Sequence, residues 1–156
     1  LEEAIANYVK KRFNLLIGER TGEEIKIQIG NAIPDKENLK TMEVRGRDSV
    51  TGLPRSIEVN EQDVNEAITP VLRSIVSAIR ETFEITPPEL ASDIIDKGIV
   101  LSGGTCLLTN LSAYISQETG VPSYVAEDPL YCVVRGTGVA LENLELYKRT
   151  INKNEY

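Results

Sequence analysis

The chain has no histidine, no tryptophan and only two cysteines. Without histidine the commonest general base, metal ligand and member of a nucleophilic triad is missing at once, so a self-contained hydrolase would have to work with carboxylates or lysine. No serine elbow or metal-ligand spacing offers a substitute. Cys106 and Cys132 each sit in an apolar stretch without a CxxC partner. That is the pattern of buried thiols in a reducing compartment, not of a disulfide or a metal site. No apolar run approaches the ~20 residues that cross a membrane, and Leu1-Glu2-Glu3 is not the basic, then apolar, start of a leader. The chain reads as soluble. Positive charge is scarce too: 17 Lys and Arg stand against 24 Asp and Glu, a formal net charge of −7. Binding to a phosphate backbone draws on clustered cations, so no nucleic acid is expected as a partner.

What is present centres on Ile99-Val100-Leu101-Ser102-Gly103-Gly104-Thr105-Cys106-Leu107-Leu108. A β-friendly run meets two glycines, and a helical apolar pattern resumes at Leu107, Leu108, Leu111, Tyr114 and Ile115, which predicts a buried strand, a glycine turn and a helix over 105–118 ending at Gly120. Glycines at such a turn let another body come close to the backbone, and a helix starting there would aim its free N–H groups at it, as nucleotide sites do. The same pair is equally well explained by a tight turn that needs φ > 0.

The 156 residues suit one ordinary domain or two small lobes. Residues 1–13 place Ile5, Tyr8, Val9, Arg12 and Phe13 on one helical face. This helix starts without a capping residue, as a piece of a longer protein would. Thr21 and Glu24 form a capping-box pattern, and Gly30 is a ready terminator, predicting a helix over 22–29. Glu23 and Lys26 lie three apart on it, where a carboxylate and an ammonium could together grip a hydroxylated ligand or merely form an exposed ion pair. Residues 41–46 and 55–59 alternate as a hairpin, whose tip shows Val50, Leu53 and Arg55 to solvent as a mobile loop or a subunit contact. Asn60 caps a helix over 61–84, in which Pro70 predicts a kink or a fresh start at Thr69. Thr86-Pro87-Pro88-Glu89 reads as a second capping box. Residues 121–126 read as a strand, and Asp128 as the cap of a last helix over 129–147, where Gly136 and Gly138 suggest close helix packing. Residues 150–156 read as a frayed tail. The later part thus alternates helix and strand, as an α/β layer does.

Several separated motifs stand in one order: Ile17-Gly18-Glu19-Arg20-Thr21 with Glu23 and Lys26, Ile29-Gly30-Asn31, Thr51-Gly52-Leu53-Pro54, Thr86-Pro87-Pro88-Glu89-Leu90, and Leu101-Ser102-Gly103-Gly104. With them the chain resembles the C-terminal half of the MreB family of bacterial actin homologues, over nearly all of residues 1–149. The resemblance implies an α/β actin-like ATPase fold, with residues 1–60 as a small α+β upper subdomain and residues 61–156 as the later part of a ribonuclease H-like lower subdomain of the second lobe. It implies an adenosine site made by Glu23, Lys26, Gly103, Gly104, Thr105 and Cys106, with Thr105 standing where the family usually has a third glycine. The phosphate loops and the carboxylate that helps water attack would lie upstream of Leu1, so the contacts of ATP with its phosphates and Mg²⁺ would fall outside this chain and no catalytic residue within it. Implied partners are further copies in a filament and membrane-bound rod-complex scaffold proteins such as RodZ. Filaments would lie in the cytoplasm at the inner face of the cell membrane, attached only through segments outside this chain, and would keep cells rod-shaped by positioning wall synthesis. The alternative on the same fold is a lobe of a sugar kinase or an Hsp70-type ATPase.

Overall fold

The structure is a computed structural model that describes residues 1–151. Helix α1 (Glu2–Phe13) leads into a two-residue strand β1 (Leu15–Leu16), helix α2 (Glu19–Ile29) and the hairpin β2 (Thr41–Asp48) and β3 (Pro54–Asn60). The three strands form an antiparallel sheet with β2 in the middle. Val44 stands opposite Ile57, and Leu15 opposite Asp48. A Cβ at Gly46 would run into Leu15 and the backbone of Leu16, so glycine is what lets β1 lie this close. The hairpin tip is braced: the buried Asp48 carboxylate accepts from the N–H groups of Val50 and Thr51 at 2.9 Å each, and from Arg55 at 2.7 Å. Arg55 also donates to the Phe13 carbonyl. Val50 and Leu53 are therefore exposed on a held turn and not on an open loop.

Helix α3 (Glu61–Glu84) carries the core. Asn60 and Asp63 bond each other's backbone N–H groups in a capping box, which fixes its start. Val64, Ala67, Ile68, Leu72 and Val76 are buried along one stripe, and the first four share a cluster with Ile5 and Val9 of α1, Ile25 and Ile29 of α2, Val44 and Val59 of the sheet. Of the kink or fresh start expected at Pro70, the fresh start does not occur, since one helix runs through it. An interior proline costs about 3 kcal/mol. Burying each large apolar side chain contributes about 1.5–3 kcal/mol, so the stripe outweighs it. Pro70 is also on the exposed side, where water can reach the carbonyl it leaves without a partner. Thr69 caps nothing and donates to the Asn65 carbonyl at 2.7 Å.

The remaining elements are α4 (Pro88–Lys97), β4 (Ile99–Leu101), a 3₁₀ turn (Gly104–Leu107), α5 (Leu111–Thr119), β5 (Ser123–Val125), α6 (Cys132–Glu142) and α7 (Leu144–Ile151). Strands β4 and β5 pair in parallel. The strand expected to be buried is only partly so, with Val100 exposed, because the pair has two strands and α5 packs against one face.

Four helix expectations need correction. Helix α2 starts at Glu19 with Gly18 as its N-cap, so Thr21 lies inside it and the capping box does not form; Arg20 instead pairs with Glu24 one turn on. Pro88 does occupy the first turn of α4, but Thr86 donates back to the Thr82 carbonyl at 2.6 Å rather than forward. The single helix over 105–118 is two pieces, parted at Leu108–Asn110, because there the chain turns to bond residues 31–33: Thr109 accepts from the Ala32 N–H at 2.9 Å, and Asn110 donates to Asn31 at 3.0 Å with its own φ at 60°. The single helix over 129–147 likewise divides at Asn143, and Asp128 takes Arg135 at 2.6 Å instead of capping. Nothing stands within 4 Å of a Cβ added at Gly136 or Gly138, so the close packing expected there is not present among the described residues. Of the expected tail, Thr150 and Ile151 belong to α7 and residues 152–156 lie outside the described residues.

Ile68 sits fully buried at the meeting point of these elements. Ile68→Ala should destabilise the fold by about 2–5 kcal/mol, read as a lowered urea midpoint; a loss under about 1 kcal/mol would mean that the cluster is not the core.

Candidate functional site

Helix α2 buries Gly22, Ile25 and Ile29 and so turns Glu23, Lys26 and Ile27, at i, i+3 and i+4, to its other side. These three form one wall of a cleft of about 330 Å³ whose other wall is Gly104, Leu107, Leu108 and Leu130. The second wall depends on a turn. Gly103 has φ at 87°, in the left-handed region, and its N–H donates to the Pro129 carbonyl at 2.9 Å, which lays Leu130 beside Gly104. A Cβ at Gly104 would be 3.4 Å from the Leu130 side chain. Leu108 is buried, and a Cβ at Gly30 would come within 2.7 Å of its Cδ1, so the floor of the cleft is packed onto the end of α2.

The wall of Gly104, Leu107, Leu108 and Leu130 is apolar, and the polar groups stand on the α2 side. Lys26 is not paired with Glu23 as the spacing allowed; its Nζ is bound by the Glu2 carboxylate of α1. Hydrogen bonding from Lys26 pulls the Glu2 carboxyl down from its ordinary value of 4.5 to about 2. Glu23 is exposed at the rim. A cleft of this size lies at the small end of ligand pockets, about 300–1,000 Å³, and one side chain on α2 accepts hydrogen bonds while another donates.

Of the residues singled out in the sequence, Glu23, Lys26 and Gly104 line the cleft. Gly103, Thr105 and Cys106 do not. Gly103 makes the turn, the Thr105 carbonyl accepts from the Leu108 N–H at 3.1 Å, and the Cys106 thiol is buried, 2.8 Å from the Gly103 carbonyl. Burial pushes that thiol up. Cys132 is only half-buried, so the expectation of two buried thiols holds for one. The helix dipole expected to meet a ligand at the glycine pair is absent, because only one 3₁₀ turn follows it and α5 starts at Leu111. Ile27, Leu107, Leu108 and Leu130 were missed. One signal was available: Ile27 is 70% exposed, an apolar residue on what is otherwise the polar face of an amphipathic helix.

The sequence profile of the family described as MreB/Mbl protein matches residues 1–149. The chain belongs to this family. It is 46% identical to cell shape-determining protein Mbl of Bacillus subtilis over 149 residues, 95% of this chain and 44% of the relative. It is 49% identical to cell shape-determining protein MreB of Escherichia coli over 146 residues, 94% of this chain and 42% of the relative. The chain thus spans less than half the length of the curated relatives it matches. Among solved structures, MreB5 of Spiroplasma citri bound to AMPPNP superposes with a TM-score of 0.83 at 32% identity, over 98% of this chain and 44% of that one. MamK in its double helical filament gives 0.67 at 18% identity, over 83% and 39%, a likeness of fold alone. The fold of this MreB/Mbl chain is therefore the actin-like one that the motifs implied, and the relatives support the cell-shape family over a sugar kinase or Hsp70-type lobe. No helix among the described residues is long and apolar enough to cross a membrane.

The Glu2 and Lys26 pair gives this MreB/Mbl chain a pH signature. A carboxyl held near 2 when folded and near 4.5 when unfolded contributes stability that is present in full above the unfolded value and is lost as pH falls through the interval toward the folded one. Removing the partner with Lys26→Met should flatten the dependence of the urea midpoint on pH between those two values. Equal slopes in parent and variant would show that the pair does not form.

Proposed function

We propose that this chain is the C-terminal part of a filament-forming, actin-like ATPase that maintains rod cell shape by positioning wall synthesis, and that its cleft receives the adenosine end of ATP. The observation that carries the reading is the convergence of Glu23 and Lys26 from α2 with the Gly104 turn, far away in sequence, on one small apolar-walled cleft. Support comes from relatives that are cell shape-determining proteins and from MreB5, solved bound to AMPPNP and to ADP. Residues 1–60 act as the small upper subdomain of the second lobe and residues 61–156 as the later part of its lower subdomain.

On this reading the leucines and Ile27 hold the apolar base, while Glu23 accepts from and Lys26 donates to the polar groups of the nucleoside. Gly104 keeps its wall free of a side chain. Gly103, Thr105 and Cys106 shape the turn from behind. ATP supplies the phosphoanhydride whose cleavage drives the filament cycle, and its phosphate contacts, Mg²⁺ and water-activating carboxylate lie outside this chain. Other copies of the protein are the filament partners, and membrane-bound scaffold proteins such as RodZ dock on the filament, which lies in the cytoplasm under the membrane.

The test is ADP affinity by calorimetry in the full-length protein. Gly104→Val adds a side chain beside Leu130 in a backbone conformation that tolerates it, and should abolish or strongly weaken binding while the melting temperature stays near the parent's. Glu23→Gln and Lys26→Met should each raise Kd several-fold, since one hydrogen bond contributes about 0.5–1.5 kcal/mol and more when charged. ADP bound as tightly by a folded Gly104→Val protein as by the parent would sink the assignment.

A further inference from the structure

Lys26 does not stand free at the rim of the cleft. Its side chain is only 13% exposed, and its ammonium is taken by Glu2, although Glu23 is three residues away on the same helix and shares the cleft. The reach is built into the packing of α1 on α2: Gly22 is buried, and a Cβ there would lie 3.0 Å from the Glu2 carbonyl. The backbone of Glu2 is thereby set against α2, one turn before Lys26. A lysine stem has four rotatable carbons and many conformers when unpaired. Here one acceptor pins it.

We infer that Glu2 is a positioning and selectivity residue for this cleft. It uses one of the three N–H groups of Lys26, aims the other two at a neutral, hydroxyl-bearing ligand surface, and cancels the charge that would otherwise draw a phosphate to this end. The inference rests on the adenosine reading above and deepens it: the cleft takes the nucleoside part of a nucleotide and rejects the reversed orientation. Unpaired, the Lys26 ammonium would be a point charge suited to phosphate. Paired with a carboxylate, it is a hydrogen-bond donor with little net field.

The experiment measures Kd for adenosine and for ADP, in the full-length protein, for the parent, Glu2→Gln, Lys26→Met, the double variant and Gly104→Val. Glu2→Gln should weaken adenosine by about two- to tenfold, the scale of one hydrogen bond, and weaken ADP less, so that the ratio of the two affinities moves toward the anion. In the Lys26→Met background the same change should have no further effect on either ligand. A role confined to holding α1 against α2 predicts instead a lower melting temperature, an unchanged ratio and equal effects in both backgrounds; that result overturns the inference. Glu2→Met, which removes the charge at a similar length, gives the same comparison if Glu2→Gln is too unstable to assay. Unchanged adenosine affinity in Glu2→Gln alongside lost affinity in Gly104→Val removes the role of Glu2 alone. Absence of binding in the parent, or full binding in Gly104→Val, overturns the adenosine reading and this inference with it.

Discussion

The cleft exists because a small polar seam holds its two walls in register. Asn31 is buried, and its side-chain oxygen accepts from the Ile33 N–H and from Asn110, each at 3.0 Å. Asn65 of α3 donates to the carbonyls of Asn31 and Ala32 at 3.1 and 2.9 Å, and Asn31 bridges to Thr109. A buried amide left without partners costs about 1–3 kcal/mol, so Asn31 penalises any other arrangement of the segments that meet there. One segment follows directly from α2, which carries Glu23 and Lys26. Another follows the Gly104 turn. The seam therefore fixes the distance across the cleft more sharply than apolar packing could, since hydrogen bonds are directional and hydrophobic contact is not.

That seam also accounts for what could be read in the sequence and what could not. The amphipathic helix over Glu2–Phe13, the Asn60 cap, the hairpin and the closing glycines Gly98 and Gly120 are local devices, and each stood where its residues placed it. The errors arise where a distant segment decides. Leu107, Leu108 and Leu111 keep a helical spacing, yet the backbone between them breaks to bond residues 31–33, and no local pattern could announce that. Thr21 and Thr86 offered caps, but Gly18 in extended conformation and Pro88 in the first turn provided starts of their own. For the cleft, the chemistry-bearing pair and Gly104 were visible as residue types in a familiar order. Its apolar lining was not, because Leu107 and Leu130 become neighbours of Ile27 only through the turn at Gly103 and the docking of α2.

The energetic character of the cleft differs from that of the core. Leu107 and Leu130 are 58% and 60% exposed, so in the free chain they contribute little of the roughly 25 cal/mol per Å² that burial returns. That unspent apolar area is available to a flat, apolar ligand face. On the α2 side, by contrast, one of the three donors of the Lys26 ammonium is already taken by Glu2, and the other two are left for a ligand or water.

The same reasoning extends to the far side of the chain. Helix α6 has no buried residue among those described, and Val133, Val134 and Leu141 are 75%, 62% and 62% exposed, beside glycines whose surroundings are open. A helix with glycines two residues apart gives up roughly 1 kcal/mol at each relative to alanine, and here neither gains a close neighbour in return. The parallel pair β4 and β5 repeats the pattern, since parallel sheets are normally covered on both faces and this one is covered by α5 on one. Patches of this kind mark surfaces that meet another body. The seam around Asn31 completes the half of the molecule that bears the cleft, whereas α6 and the β4–β5 pair carry the sequence of a buried layer without its cover, in keeping with a chain that spans less than half the length of its relatives.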